Sequence, residues 1–285
     1  MNFYEIAGLR LGIDAKDQYL HPELTDFLVN GNKEDAPDIE IVFQEGTYDV
    51  SNAKKVLQAE LLSVYEEEKR YIVSYNAPTW VLCYTMEKET AQSVVFLREY
   101  RKECDLADME KEILMYSIRD AFFFHMQKWG RIAVHSASII YKGKVWLFSA
   151  SSGTGKSTHA ALWKEAGYGI KMFNGDVAVC YEQDGKAFAA GIPWCGTSHT
   201  YVNRILPLGG ILFLQRSCHN EAGKINLFEG IMRLNARCLT PNWTRELMDK
   251  NLFVAEKLIP LIKTGVLYCT PETKAAEVAK EFIDR

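Results

Sequence analysis

Between Ser151 and Thr158 the sequence reads Ser151-Ser152-Gly153-Thr154-Gly155-Lys156-Ser157-Thr158, two glycines and a lysine set among hydroxyl side chains. These are the residue types a polyphosphate site requires. Backbone N–H groups must turn inward around phosphate oxygens, and glycine permits both the dihedral angles and the close approach. Gly153 and Gly155 supply that freedom. A helix that starts at the lysine adds roughly half a positive charge at its N-terminus. Lys156 has the reach to bridge β and γ phosphates, and Ser157 offers a hydroxyl to Mg²⁺. The pattern matches G-x-x-x-x-G-K-S/T except that Ala150 stands where the first glycine belongs. The expected ligands are ATP and Mg²⁺.

A bound magnesium also wants a carboxylate, and a hydroxyl acceptor needs somewhere to lose its proton. Asp176, in Asn174-Gly175-Asp176, is the nearest candidate downstream. Two readings stand: an acid at an interruption in a strand beside the loop, or a hairpin turn, since Asn-Gly is a strong turn signal. Further on, Gly191-Ile-Pro-Trp-Cys-Gly-Thr197 is a rigid run of small residues around one tryptophan. Trp194 and Thr197 would either wall a substrate pocket or close a packed turn. His199 and Arg204 would either touch phosphate or face solvent. On its own, His135 reads as a strand histidine turned to the core.

These residues need elements to hold them. Arg131–Ile140 and Val145–Phe148 read as a hairpin with a turn at 141–144, and the second strand feeds directly into the glycine loop. Thr158 to Ala166 reads as a helix stopped by Gly167-Tyr-Gly169. Strand, glycine loop and helix form the context that turns a pattern match into a site. Ile205–Leu214 reads as a buried strand. The segments Leu227–Leu239, Asn242–Ile262 and Pro271–Ile283 carry helical spacing, with Thr270 a candidate cap for the last.

Upstream, Ile39–Phe43, Tyr71–Tyr75, Trp80–Tyr84 and Ser93–Leu97 read as strands between polar turns. A helix over 106–129 follows, with Asp105 and Asp108 as cap candidates, Leu106, Met109, Ile113, Tyr116 and Phe124 at helical spacing, and Gly130 at the end. Its His125 reads as a packed or surface histidine. The expected organisation is a β-rich domain over 1–104 and a phosphate-loop domain over 105–285.

The 285 residues are 48% hydrophobic and 25% charged, an ordinary globular balance. A net charge of −4 and a pI of about 5.9 argue against a broad nucleic-acid face. Seven widely spaced cysteines without a C-x-x-C pair argue against a disulfide framework or structural zinc. The sequence carries no signal-peptide pattern at Met1, and no apolar run is long enough to span a bilayer. The expectation is a cytoplasmic protein without membrane or nucleic-acid partners.

His135, the 152–158 loop, Asn174-Gly-Asp176, the Pro193-Trp-Cys-Gly-Thr197 element and Pro207-Leu-Gly-Gly-Ile-Leu-Phe-Leu214 occur in that order. Together they resemble the catalytic domain of HPr kinase/phosphorylase and its relatives, including kinases found beside peptide-modifying gene sets. The resemblance covers about residues 130–215. It implies an α/β domain with the phosphoenolpyruvate carboxykinase-like phosphate-loop fold, preceded here by the β-rich domain. It also implies γ-phosphate contact by Lys156, Mg²⁺ handling by Ser157 and Asp176, and a place near the phosphates for His135. Where the family has two adjacent aspartates, this chain has Gly175-Asp176. Either Asp176 serves both roles, or another group takes the proton, or phosphorolysis or catalysis itself is lost.

The function these residues point to is transfer of the ATP γ-phosphoryl group to a hydroxyl, with Arg204 a further candidate for the phosphate. The acceptor would be a serine of a peptide or small protein, or a small metabolite. The rival is a nucleotide-binding module with weak or no catalysis that acts through a protein partner. A true carboxykinase is a third reading, disfavoured by the short chain. HPr kinases are hexamers, so a homo-oligomer is open.

Overall fold

The structure is a computed structural model, and it describes residues 1–30, 36–76, 79–98 and 108–285, the side chains of 108 and 109 apart. The expected boundary at 104/105, Cys104 and the helix-start residues Asp105 and Leu106 lie outside the described residues, as do the side chains of Asp108 and Met109. The chain forms two compact units. One comprises Met1–Trp129 with Pro241–Arg245, and the other Gly130–Thr240 with Glu246–Arg285. Each is built on a large sheet, so the class is mixed α/β. No helix among the described residues is long and apolar enough to cross a membrane.

The sheet of the first unit has nine strands among the described residues: β1 (Asn2–Ile6), β2 (Leu9–Asp14), β3 (Leu28–Val29), β4 (Ile39–Glu45), β5 (Lys54–Gln58), β6 (Leu62–Glu66), β7 (Arg70–Tyr75), β8 (Val81–Glu87) and β9 (Gln92–Leu97). Their spatial order is β3-β1-β2-β4-β9-β8-β7-β6-β5. The strands read from the sequence are all present. β1, β2, β3, β5 and β6 are additional. Helix α1 (Asp108–Met126) belongs to this unit and buries Leu114, Ile118, Phe122 and Phe123. His125 is fully buried, not on the surface, with Nε2 2.8 Å from Ser93 Oγ and 3.1 Å from the Gln92 carbonyl. The returning segment 241–245 is part of the same packing. Trp243 meets Tyr71 edge-on at 5.9 Å, and the Tyr71 hydroxyl lies 3.2 Å from Thr244 Oγ1.

The second unit contains β10 (Arg131–Tyr141), β11 (Lys144–Ser149), α2 (Lys156–Glu165), β12 (Lys171–Asn174), β13 (Val177–Gln183), β14 (Lys186–Ala190), β15 (Ile205–Arg216), β16 (Glu221–Lys224), α3 (Leu227–Asn235), α4 (Arg245–Leu258), β17 (Lys263–Cys269) and α5 (Thr273–Asp284). β10 and β11 form the expected hairpin, turning through Lys142 and Gly143 at φ 49° and 75°. Long strands organise the rest. β10 pairs with β13 through its first half and with β11 through its second; β15 pairs with β14 at its start and runs parallel to β11 and β17 further on. The pairing closes a ring β10-β11-β15-β14-β13 from which β17 and β16 extend.

Side chains alternate cleanly between the two faces of this sheet, as the two-residue period of a strand dictates. Val145, Leu147, Ile211, Phe213 and Val266 share one core with Leu234 of α3 and Val254, Ala255 and Leu258 of α4. Trp146, Phe148, Leu212, Leu214 and Leu267 share the other with Ala160 and Trp163 of α2 and Ala275, Ala276, Ala279 and Phe282 of α5. A sheet covered on both faces reads as continuous apolar runs, the pattern of Ile205–Leu214. The C-terminal region departs from the all-helical expectation: β16 and β17 lie within it, and β17 is an inner strand of the sheet. Thr270 does not cap α5. Its N–H donates to Asn220 Oδ1 at 2.9 Å, and Glu272 occupies the cap position.

Candidate functional site

The glycine loop leaves the C-terminal end of β11. Ser149 anchors its entry, the hydroxyl donating to the His135 carbonyl at 2.7 Å. Gly153 and Gly155 take φ of 73° and 113°, values that a side-chain-bearing residue rarely adopts. Gly155 is the N-cap of α2, makes no side-chain cap bond, and no acid stands in the first turn. The first N–H groups of this helix are therefore left for an outside acceptor. Ala150, at the position of the missing glycine, is buried at 4% exposure, so its methyl group packs into the core rather than blocking the loop. Ser151, Ser152, Ser157 and Thr158 are exposed, and Thr154 is half-buried.

Arg216 holds the loop from the neighbouring strand. It lies at the end of β15 and donates to the carbonyls of Gly153 and, at 3.3 Å, Thr154. Those carbonyls are thereby satisfied and the loop is tied to β15.

Lys156 is buried, and its Nζ lies 2.7 Å from His135 Nε2. On the other side of the ring, His135 Nδ1 lies 3.3 Å from Asp176 Oδ1. An ammonium group only donates, so Nε2 must accept and the ring proton sits on Nδ1, facing the carboxylate. Burial, then the Lys156 charge, holds His135 below the usual histidine range, against the pull of Asp176. Burial also lowers Lys156; Asp176 opposes this and Arg237 reinforces it. The result is a lysine–histidine–carboxylate array with the histidine neutral.

Asn174 builds the turn that presents Asp176. It is fully buried, and its side-chain oxygen accepts from the N–H groups of Asp176 at 2.9 Å and Val177 at 3.0 Å. Its amide nitrogen donates to the Ile192 carbonyl at 2.9 Å. β12 and β13 do not pair with each other; both pair with β10. Asn174-Gly-Asp176 is thus an interruption in a strand, not a hairpin, and it aims an acid at the neighbouring loop. The Ser136 N–H donates to the Asp176 carbonyl at 2.8 Å, which fixes the interruption against β10.

Gly175 has a reason of its own. A β-carbon there would collide with the hydroxyl and β-carbon of Ser198. Ser198 is in turn fixed by donating to the Cys195 carbonyl at 2.6 Å. The place a second aspartate would need is filled.

The remaining expected residues lie on or after a segment that packs against Asn174-Gly-Asp176: the Gly175 N–H donates to the Thr200 carbonyl at 2.9 Å, and a β-carbon at Gly196 would stand 3.1 Å from the Asp176 side chain. Trp194 is 4% exposed and forms part of a packed turn, so it offers no wall to a substrate. Thr197 and His199 are exposed on the loop after it. Arg204 is exposed ahead of β15 and does not line the cleft beside the glycine loop. The arginine that lies close to the array is Arg237, two residues beyond α3. Its carbonyl accepts the His135 N–H at 2.9 Å, and its charge acts on both His135 and Lys156. Neither Arg216 nor Arg237 stands in a local motif; only the pairing of distant strands brings them here.

Two clefts flank the loop. The larger, about 870 Å³, is lined by loop residues 149–154, the end of β15 and the face of α3 that carries Phe228, Met232 and Arg233. The smaller, about 380 Å³, lies between the start of α2 and Cys269-Thr270-Pro271. Arg216 borders both.

No family model matches this chain, and no curated protein matches it. Among solved structures it is similar to the Hpr(Ser) kinase/phosphatase from Coxiella burnetii, at 9% sequence identity and a TM-score of 0.31, over 53% of this chain and 92% of that one. A likeness so distant carries no argument about activity.

Proposed function

We propose that the second unit is an ATP- and Mg²⁺-dependent kinase that transfers the γ-phosphoryl group to a hydroxyl. The observation that carries this reading is the Lys156–His135–Asp176 array at the root of a glycine loop whose helix has a bare N-terminus. Binding alone would be served by the loop and the lysine. A neutral histidine that links the lysine to a carboxylate adds a route for a proton.

The loop N–H groups and the α2 N-terminus would take the phosphates. Lys156 would exchange its histidine partner for phosphate oxygens. Mg²⁺ prefers hard oxygen donors, with one or two carboxylates and the remainder from phosphate and water. The Ser157 hydroxyl and the Asp176 carboxylate are donors of that kind, and when bound the ion would neutralise phosphate charge. In the transfer, the acceptor oxygen bonds to the γ-phosphorus as the bond to the β–γ bridging oxygen breaks. ADP leaves, and the acceptor proton passes to Asp176. His135 orients the carboxylate through Nδ1–H, and Arg237 adds positive charge where negative charge builds up. The acceptor we favour is a serine hydroxyl of a peptide or small protein, ahead of a small metabolite.

Lys156→Ala should weaken Mg-ATP binding by about 10²-fold, as expected for removing a buried charged partner. Calorimetry on wild type and variant measures this. Unchanged affinity would remove the loop from nucleotide binding. The crowded Gly175 position favours one rival, a nucleotide-binding module without catalysis, because it leaves a single carboxylate. Transfer of labelled phosphate from ATP to any hydroxyl acceptor decides against that rival.

A further inference from the structure

One wall of the larger cleft is formed by α3 and exposes apolar side chains. On α3, Phe228 is 74% exposed and Met232 47%, one helical turn apart, with Leu227 at 54% beside them. Phe228 and Met232 line the cleft together with Ala236, at four-residue spacing on one helix stripe. A parallel stripe on the same wall carries Glu229, Arg233 and Arg237. Arg233 bonds Glu229 at 2.8 Å. Arg237, half-buried, has no carboxylate partner among the described residues. The wall thus sets an apolar ridge beside a net positive one. It also has a direction: its far end is the exposed Phe228, and its near end is Arg237, whose carbonyl is bonded to His135 of the array.

We propose that this wall is the docking surface for the phosphate acceptor, an extended acidic peptide segment that carries an apolar side chain. The inference rests on the kinase reading and names the acceptor for the same site. Charge complementarity selects an acidic segment: Glu229 and Arg233 neutralise each other, and Arg237 leaves the wall one positive charge in excess. Length sets the spacing. From Arg237 back to Phe228 is about 13 Å at the helical rise, which an extended chain covers in about four residues. The acceptor hydroxyl at the array therefore lies about four residues from the apolar side chain that packs on Phe228 and Met232, with acidic residues between. An exposed aromatic beside a methionine is the kind of anchor that dominates peptide binding.

The test uses fluorescein-labelled peptides with one serine, two following glutamates and a leucine or phenylalanine at the fourth position, in both chain directions, against peptides with that residue replaced by serine. Anisotropy is read in the presence of Mg-ADP, so binding is scored whether or not transfer occurs. The apolar peptides should bind wild type at least about tenfold tighter than the controls, and Phe228→Ala with Met232→Ala should erase that difference. Mg-ATP affinity serves as the folding control. Equal binding of both peptide sets, equal binding by the variant, or transfer only to small-molecule hydroxyls overturns the docking proposal while leaving the kinase standing. Peptide binding that depends on Phe228 without transfer to any acceptor does the reverse: it keeps the surface and overturns the kinase.

Discussion

At the scale of single residues, Asp176 carries the most chemistry. It is the carboxylate joined to the array, and Asn174 holds its backbone rather than its side chain, leaving the carboxylate for chemistry. Asp176→Asn should lower transfer by about 10²–10⁴-fold, the range for a lost general base, while Mg-ATP affinity changes by less. Parallel transfer kinetics and calorimetry separate the two, and equal losses would make Asp176 a binding residue only. Gly175 offers a second test. Gly175→Asp should destabilise the unit by about 1–3 kcal/mol through overpacking against Ser198. Adding Ser198→Gly should restore much of that, as read from denaturant midpoints. If the single variant is as stable as wild type, the crowding is not what keeps glycine there.

At the scale of elements, legibility follows the range of the interactions. The glycine loop, the β10–β11 hairpin and α2 were readable because their geometry is set within about ten residues, by glycines, turn residues and apolar spacing. Asn174-Gly-Asp176 was ambiguous locally, since the same three residues suit a hairpin or a strand interruption; the pairing of both flanks with β10 decided it. β17 leaves little local trace: Lys263–Cys269 is a short run with a glycine at its third position after a helical stretch, and only its parallel place beside β15 makes it a strand. Arg216 and Arg237 act across such pairings and left no local trace. Arg216 lends itself to a test at this scale, since it ties the end of one strand to the loop of another. Arg216→Ala should raise the KM for ATP more than it lowers kcat, by about tenfold, because it removes preorganisation of the loop rather than a reacting group. A fall in kcat alone would place Arg216 in the chemistry instead.

For the whole molecule, acid sensitivity can be read from two buried histidines, one in each unit. Burial pushes His125 down to about 3 and His159, packed under Phe148 and accepting from the Trp163 indole N–H, down to about 4. Both folded values lie below the unfolded one near 6.5. Their contribution is therefore fully present above about pH 6.5 and is lost as pH falls toward the folded values. By pH 5 each should cost its unit about 2 kcal/mol. Melting temperatures from pH 7 to 5 should fall, and His125→Gln should flatten that slope for the first unit. A slope unaltered by the substitution would show that other groups set the acid limit.

The return of residues 241–245 to the first unit has a consequence for how the protein is made. Trp243 and Thr244 complete the packing around Tyr71, yet they are synthesised only after the strands β10 to β15 and helix α3 of the other unit. The first unit therefore reaches its full packing only after much of the second has been made. The nine strands of its sheet among the described residues are all made by Leu97, yet the Tyr71 ring waits for its indole neighbour until more than a hundred further residues have emerged.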